Sequence, residues 1–339
     1  GAETISDLAV LRDQPDLFGP VASHPTAWRA LEAVDDAALG RIKTARAQAR
    51  AAAWAAGADP GFYVIDIDAT LINAHSDKEQ ASPTYKRGFG FHPLMAYLDA
   101  TGEALAGLLR PGNAGSGTAD DHLTVLDDAL AQLPIDPADD GIEVIARADS
   151  AGWSHGFVDH CRARGVNFVI GHRLSAEIAQ ILVEVPNQHW RPAISADGSE
   201  LRETGEVTEI THLVTDIFDT DRPWPDELRM IARREHPHPG AQLTFTDLDG
   251  HRYQVFVTDL ADPDIAYLEA LYRGRGRAEL QIADTKATGL TNLPSHSFAI
   301  NAAWVQLCLI AHDLLAWTRH HTLTGDLATA EPTRLRYCL

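Results

Sequence analysis

The chain has 339 residues, 45% of them hydrophobic, and a formal charge of -20 at pH 7 from 48 acidic and 28 basic side chains. That apolar content excludes a disordered tail and calls for one large folded unit or two to three smaller ones. Three cysteines without a CxxC pair exclude a zinc ribbon or a disulfide framework, and the acidic balance weighs against nucleic acid as a partner unless cations cluster locally or metal ions offset the acid.

Residues 1–60 predict helices: an apolar-periodic run near Ile5–Leu11, a break over Pro15–Pro20, then Thr26–Leu39 and Ile42–Ala56. The last carries Arg41, Lys43, Arg46 and Arg50, read as a solvated face, with phosphate contact as the alternative. Gly57–Gly61, GADPG, ends this segment. Phe62–Thr70, FYVIDIDAT, is a buried-type strand whose Asp66 and Asp68 share a face. Burying two carboxylates there needs a counter-ion, and a metal is the economical one.

His75–Gly90 reads as a loop, followed by strands His92–Leu98 and Ala104–Leu109, so that three consecutive antiparallel strands begin with the acidic one. Asp120–Leu133 predicts an amphipathic helix whose Asp120, Asp121, Asp127 and Asp128 are solvated. The apolar strand Ile142–Ala148 ends in Asp149, at the strand end where open α/β sheets place their chemistry. Helix Ser154–Arg164, strand Asn167–Gly171 and helix Ser175–Val183 continue the rhythm of a mixed sheet. His155, His160 and His172 read as surface or capping residues rather than ligands.

Residues 186–259 change to short strands between turns, with a hairpin of Ala241–Thr246 and Arg252–Thr258 around Asp249-Gly250. Asp262-Pro263-Asp264 starts a helix that buries Ile265, Leu268 and Leu271 and runs into YRGRGRAELQIADTK, residues 272–286. On one helix Tyr272, Arg275, Glu279 and Lys286 fall at i, i+3, i+7 and i+14 and share a face. A carboxylate there suits a metal ion and the cations suit phosphate oxygens; a plain amphipathic helix is the bland alternative. Gly274 and Gly276 cost roughly 1 kcal/mol each inside a helix and are read as admitting a DNA backbone or a neighbouring strand. Lys286 is one of only four lysines, with Lys43, Lys78 and Lys86. Residues 297–318 read as a core helix, too short and polar-interrupted for a membrane span.

The stretch from Tyr272 resembles, in residue and spacing at all four positions, the Y-(2)-R-(3)-E-(6)-K signature of bacterial insertion-sequence transposases with an RNase H-like DDE catalytic domain. Asp68-Ala69-Thr70 resembles the segment that carries that group's first Asp, with Asp66 as the neighbour able to replace it. Ala148 to Gly152 resembles the segment that carries the second. The resemblance implies an α/β fold, an RNase H-like mixed sheet flanked by helices with a β-rich insertion and a helical N-terminal segment. Its expected division is 1–60, 61–185, 186–259 and 260–325. It implies Asp68, Asp149 and Glu279 as catalytic metal ligands for two Mg2+ ions, with Mn2+ as a substitute, and Tyr272, Arg275 and Lys286 as DNA-phosphate contacts. Its implied partners are terminal inverted repeats and target duplex, met by a homodimer without membrane contact. In that group an insertion-domain aromatic can stack on a flipped base, a role open to Trp190 or Trp224, but each reads first as packing in a small hydrophobic core. No export signal is evident, so a cytoplasmic, nucleoid-associated protein is expected.

Asp66, Asp68 and Thr70 also resemble the D-x-D-x-T motif of haloacid-dehalogenase-like phosphatases, with Asp66 as nucleophile and Asp68 as acid/base. That family's downstream Lys and acidic pair are not found. An inactive DNA-binding remnant predicts loss of an acidic ligand or of Lys286, and none is lost. An acidic scaffold would leave the spacing of these residues unexplained.

Overall fold

The computed structural model describes residues 4–115, 119–218, 221–237, 240 and 247–338. Short helices Leu8–Arg12, Pro15–Phe18 and His24–Glu32 precede α1 (Asp36–Ala53). The run expected as one helix over Thr26–Leu39 breaks because Asp35 caps α1, its carboxylate accepting the Ala38 amide at 2.7 Å. Of the cations of α1, Arg41 is exposed, as a solvated face requires, but Lys43 pairs with Asp128. Arg46 and Arg50 are buried and pair with Asp313, and Arg50 also with Glu103.

The core strands are β1 (Tyr63–Ala69), β2 (Leu94–Leu98) and β3 (Ala104–Leu108), then β4 (Val144–Ala148) and β5 (Asn167–His172). Helix α2 (Ala119–Leu130) precedes β4, α3 (His155–Ala163) joins it to β5, and α4 (Ala176–Glu184) follows. Tyr63 to Ile67 are all buried, as a central strand covered on both faces requires. Ile65 and Ile67 pack with Val125, Leu126 and Phe157 on one side, while Val64 packs with Leu268 and Leu271 on the other. β1 pairs antiparallel with β2 and parallel with β4, β2 antiparallel with β3, and β4 parallel with β5. The order β3-β2-β1-β4-β5 is the RNase H-like arrangement expected from the sequence.

The region read as β-rich supplies β6 (Arg191–Ile194), β7 (Leu201–Glu209), β8 (Arg229–Glu235) and β9 (His251–Thr258). β9 pairs antiparallel with β5, so these strands extend the same sheet in the order β5-β9-β8-β7-β6. Asp249 and Gly250 have φ of 47° and 78° and turn Asp247–Leu248 onto β9, the positive-φ pair of a type I′ hairpin. The strand expected over Ala241–Thr246 lies outside the described residues.

The loop expected over His75–Gly90 carries instead much of a small sheet, Ile72–Asn73, Phe89–Phe91 and Ser82–Pro83. The acidic residues of α2 are also more engaged than expected: Asp121 pairs with Arg110, Asp127 with His160 and Arg164, and Asp128 with Lys43.

Helices α5 (Ile265–Arg273), α6 (Arg277–Thr285) and α7 (Phe298–Thr322) complete the fold. The 25 residues of α7 are long and apolar enough to cross a membrane by length and composition, with mean hydropathy 1.5 in one window, so the reading of it as too short is corrected. It packs over β3 with its polar groups inward: Asp313 accepts from Arg46, Arg50 and the Ala104 amide, and His312 bonds Thr285 and the Gly102 carbonyl.

Candidate active site

The parallel register Asp66↔Arg147 and Ile67↔Ala148 carries Asp68 and Asp149 to the carboxyl ends of two adjacent strands. Asp149 caps the 3₁₀ turn Ser150–Gly152, its Oδ1 accepting the Ala151 amide at 2.9 Å. A cavity of about 910 Å³ opens there, lined among others by Asp68, Asp149, Tyr85, His92, Trp153 and Arg173. Another cavity, of about 900 Å³, lies between Leu8, Leu11, Leu31 and Trp304, without these acidic residues.

The stretch 272–286 is not one continuous α-helix. α5 tightens into a 3₁₀ turn over Gly274–Gly276 before α6 begins. At Gly274 the close neighbour is the expected strand: a Cβ on it would stand 2.5 Å from Nη1 of Arg147 on β4. Gly276 has open space around its Cβ position. The turn sends three arginines to three partners. Arg273 binds Glu269 at 3.0 Å, Arg277 binds Asp99 at 2.6 Å, and Arg275 Nη1 stands 3.7 Å from Asp68 Oδ2.

The Arg275 guanidinium also interacts with the Tyr272 hydroxyl. The Tyr272 ring stacks on Phe256 with centroids 4.7 Å apart, and its hydroxyl lies over Gly171, where a Cβ would approach to 2.5 Å. Burial pushes the Asp68 carboxyl up to about 6; Arg275 opposes this, while the charges of Asp149 and Glu279 add to it. At Arg275 burial disfavours the charge, yet Asp68, Tyr272, Asp149 and Asp66 together hold the guanidinium above its ordinary range.

Asp68, Asp149, Tyr272 and Arg275 therefore share one electrostatic site, and the charge of Glu279, exposed on α6, reaches it. Lys286 is half-buried in the turn after α6, where burial and the charge of Lys86 hold it below its ordinary range. As placed, no three His, Cys, Asp or Glu side chains among the described residues stand close enough to hold a metal ion. The donor set itself, carboxylate oxygens from Asp68, Asp149 and Glu279, fits a hard divalent cation.

Asp66 has a different fate from Asp68. It is 1% exposed and bound at both oxygens by Arg147, whose Nε and Nη2 donate at 2.5 and 2.7 Å. Arg147 Nη2 also lies 3.0 Å from Asp99, and Nη1 donates to the Leu271 carbonyl at 2.5 Å. A guanidinium, not a metal, neutralises this carboxylate. The phosphatase reading fails here, because its nucleophile would be sealed in a bidentate ion pair. The sequence reading missed Arg147. Its signal was an arginine inside the apolar strand VIARA, opposite in register to an equally unexpected Asp.

Both tryptophans pack into the fold, as the small-core reading expects. Trp224 is sandwiched between Trp153, at 3.8 Å, and His155, at 3.6 Å. Trp190 is 5% exposed, under the Arg234 guanidinium. His155 and His160, read as surface or capping, are tied to Trp224 and Asp127.

Three antiparallel strands followed by two parallel ones, with aspartates at the carboxyl ends of β1 and β4 and an arginine-bearing helix beside them, define the RNase H-like class of catalytic domain. Over residues 1–339 the chain matches the family described as transposase DDE domain group 1, and it belongs to that family. DDE transposases generally use divalent metal ions. Among solved structures the chain is similar to a piggyBac transposase, determined as a synaptic complex with hairpin DNA, at 9% identity and a TM-score of 0.43. The match covers 78% of this chain and 50% of that one, so the chain spans half the length of that structure. No curated protein matches it.

Proposed function

We propose that this transposase cuts DNA at the terminal inverted repeats of a bacterial insertion sequence and joins the freed 3′-hydroxyl to target DNA. The attacking oxygen forms a new bond to phosphorus as the target's own P–O3′ bond breaks, so one phosphodiester replaces another. The observation that carries this is the meeting of Asp68 and Asp149 at one cavity, with Arg275 3.7 Å from Asp68.

Asp68, Asp149 and Glu279 would hold two Mg2+ ions, or Mn2+, which when bound activate the attacking oxygen and stabilise the leaving one. Arg275 is locked by Tyr272 and Asp68 and offers its remaining donors to a backbone phosphate. Tyr272 fixes that guanidinium from the Phe256 stack, and Lys286 adds a point charge farther along the strand. A homodimer would hold the two element ends, in the cytoplasm at the nucleoid. The test is Mg2+-dependent cleavage of a duplex carrying the sequences that flank the gene, in the native chain and Glu279→Gln. The native chain cleaves and the variant does not. Equal cleavage by both sinks the assignment of Glu279.

A further inference from the structure

We propose that the hairpin tip Tyr85-Lys86-Arg87 is a second phosphate clamp, which with Lys286 grips the DNA strand leading into the acidic cavity. This rests on the reading of the chain as a DNA-cutting transposase and adds residues outside its acidic and signature positions.

The tip joins Ser82–Pro83 to Phe89–Phe91 and is closed on itself. The Thr84 amide donates to the Gly88 carbonyl at 2.9 Å, the Arg87 amide to the Thr84 carbonyl at 3.0 Å, and the Gly88 amide to Thr84 Oγ1 at 3.1 Å. With its backbone satisfied internally, the tip turns three side chains outward. Tyr85 is 71% exposed, its ring 5.6 Å from His92, and Lys86 Nζ lies 5.8 Å from the Tyr85 ring. Arg87 holds φ at 63°, a left-handed conformation that glycine takes freely and a residue with a Cβ does not. Turn geometry alone would favour glycine there, so the arginine side chain stands at a local backbone cost.

The tip is also anchored where the reaction would occur. Pro83, Thr84 and Tyr85 line the cavity of Asp68 and Asp149. Behind it, Ile72 and Phe91 pack with Leu290 and Leu293, the Lys78 ammonium donates to the Ser295 carbonyl, and the Phe298 amide donates to Glu79. These contacts tie the small sheet to the segment that follows Lys286.

The lysines separate by partner. Lys43 is neutralised by Asp128 and Lys78 is taken by a carbonyl. Lys86 is exposed at the tip and Lys286 half-buried in the turn after α6, and neither makes an ion pair among the described residues. In a chain with 48 acidic side chains, lysines that no carboxylate pairs with, on a tip at the cavity and on the segment its sheet packs against, leave room for an anion from outside. Beside an exposed aromatic ring and an arginine at the mouth of an acidic cavity, a nucleic-acid backbone has the required chemistry: regularly spaced phosphates that tolerate the carboxylates only where cations bracket them.

The test is equilibrium binding of the full chain to a duplex carrying the gene-flanking ends, with Ca2+ in place of Mg2+, across a salt series, for the native chain, Lys86→Gln, Lys86→Arg and Arg87→Gly. Each lost phosphate contact makes the slope of log K against log salt shallower by roughly 0.9. Lys86→Gln and Arg87→Gly are expected to show that loss and Lys86→Arg the native slope. The melting temperature of Arg87→Gly is expected to be unchanged or raised, because glycine relieves the turn. Native slopes in both Lys86→Gln and Arg87→Gly, while the native chain binds, overturn the clamp and leave the transposase reading standing. Absence of salt-dependent binding by the native chain overturns both.

Discussion

Asp66 and Arg147 sit opposite each other across the parallel pair β1 and β4 and meet through two hydrogen bonds of 2.5 and 2.7 Å, each side chain at most 1% exposed. This contact decides which aspartate of the strand is available for chemistry. Asp66 is taken by Arg147, whose guanidinium also holds Asp99 and the end of α5, while Asp68, two residues on, faces the cavity.

Arg147→Met therefore leaves two carboxylates without their buried partner. Breaking a buried pair from one side costs about 3–5 kcal/mol, and urea unfolding should show a loss of that size. A loss below about 1 kcal/mol, the range of exposed pairs, would contradict the structural role given to Arg147.

Asp99 supplies a pH test of the same network. Burial alone would raise its carboxyl, but the hydrogen bond from Arg277 and the charges of Arg147 and Arg277 hold it below the usual aspartate value of 3.8. A depressed folded pKa means the stabilisation is fully present above the unfolded pKa and is lost as pH falls through the folded one. The stability gap between the native chain and Asp99→Asn should be constant at neutral pH and close only below about pH 3.8. A gap that closes between pH 5 and 7 contradicts this assignment.

Gly171 and Tyr272 make a reciprocal test of the site. A Cβ at position 171 would come within 2.5 Å of the Tyr272 hydroxyl and 3.0 Å of the Ser150 amide. Gly171→Ala should displace Tyr272 and with it Arg275, lowering cleavage by about 100-fold, the scale of a 1 Å misplacement. Tyr272→Phe keeps the Phe256 stack and loses one hydrogen bond, so its loss should stay near 10-fold. The double variant should cleave better than Gly171→Ala alone; additive losses would show that the two residues do not meet.

Trp224 tests the small-core reading against base stacking. Its ring fills a stack with Trp153 and His155, so Trp224→Ala should destabilise the fold by about 3–5 kcal/mol. Full thermal stability with a selective loss of DNA binding would favour the stacking role instead.

Much of this was readable in the chain because it depends on local pattern. The double-sided apolar run around Asp66 and Asp68, the strand ending in Asp149 and the Asp249-Gly250 turn each carry their own signal, and each forms where expected. The pairing of Asp66 with Arg147 and of Arg46 and Arg50 with Asp313 depends on which strands and helices become neighbours, 81 to 267 positions apart. No local period encodes that. The stretch 272–286 was legible as spacing but not as shape: a continuous helix would set four side chains on one face, whereas the 3₁₀ turn at Gly274–Gly276 re-aims Arg275 and Arg277 to separate partners. The fusion of the later strands to β5 was likewise invisible, since edge pairing is set by register across distant segments.

The most direct measurement compares Asp68→Asn with Asp66→Asn on a duplex carrying the gene-flanking ends in Mg2+, with DNA binding and folding followed in parallel. Asp68→Asn is expected to fold and bind DNA but release no cut strand, and Asp66→Asn to lose stability first, with cleavage by the folded fraction retained. Cleavage that survives in Asp68→Asn, or that vanishes in a fully folded Asp66→Asn, would contradict the assignment of the two aspartates.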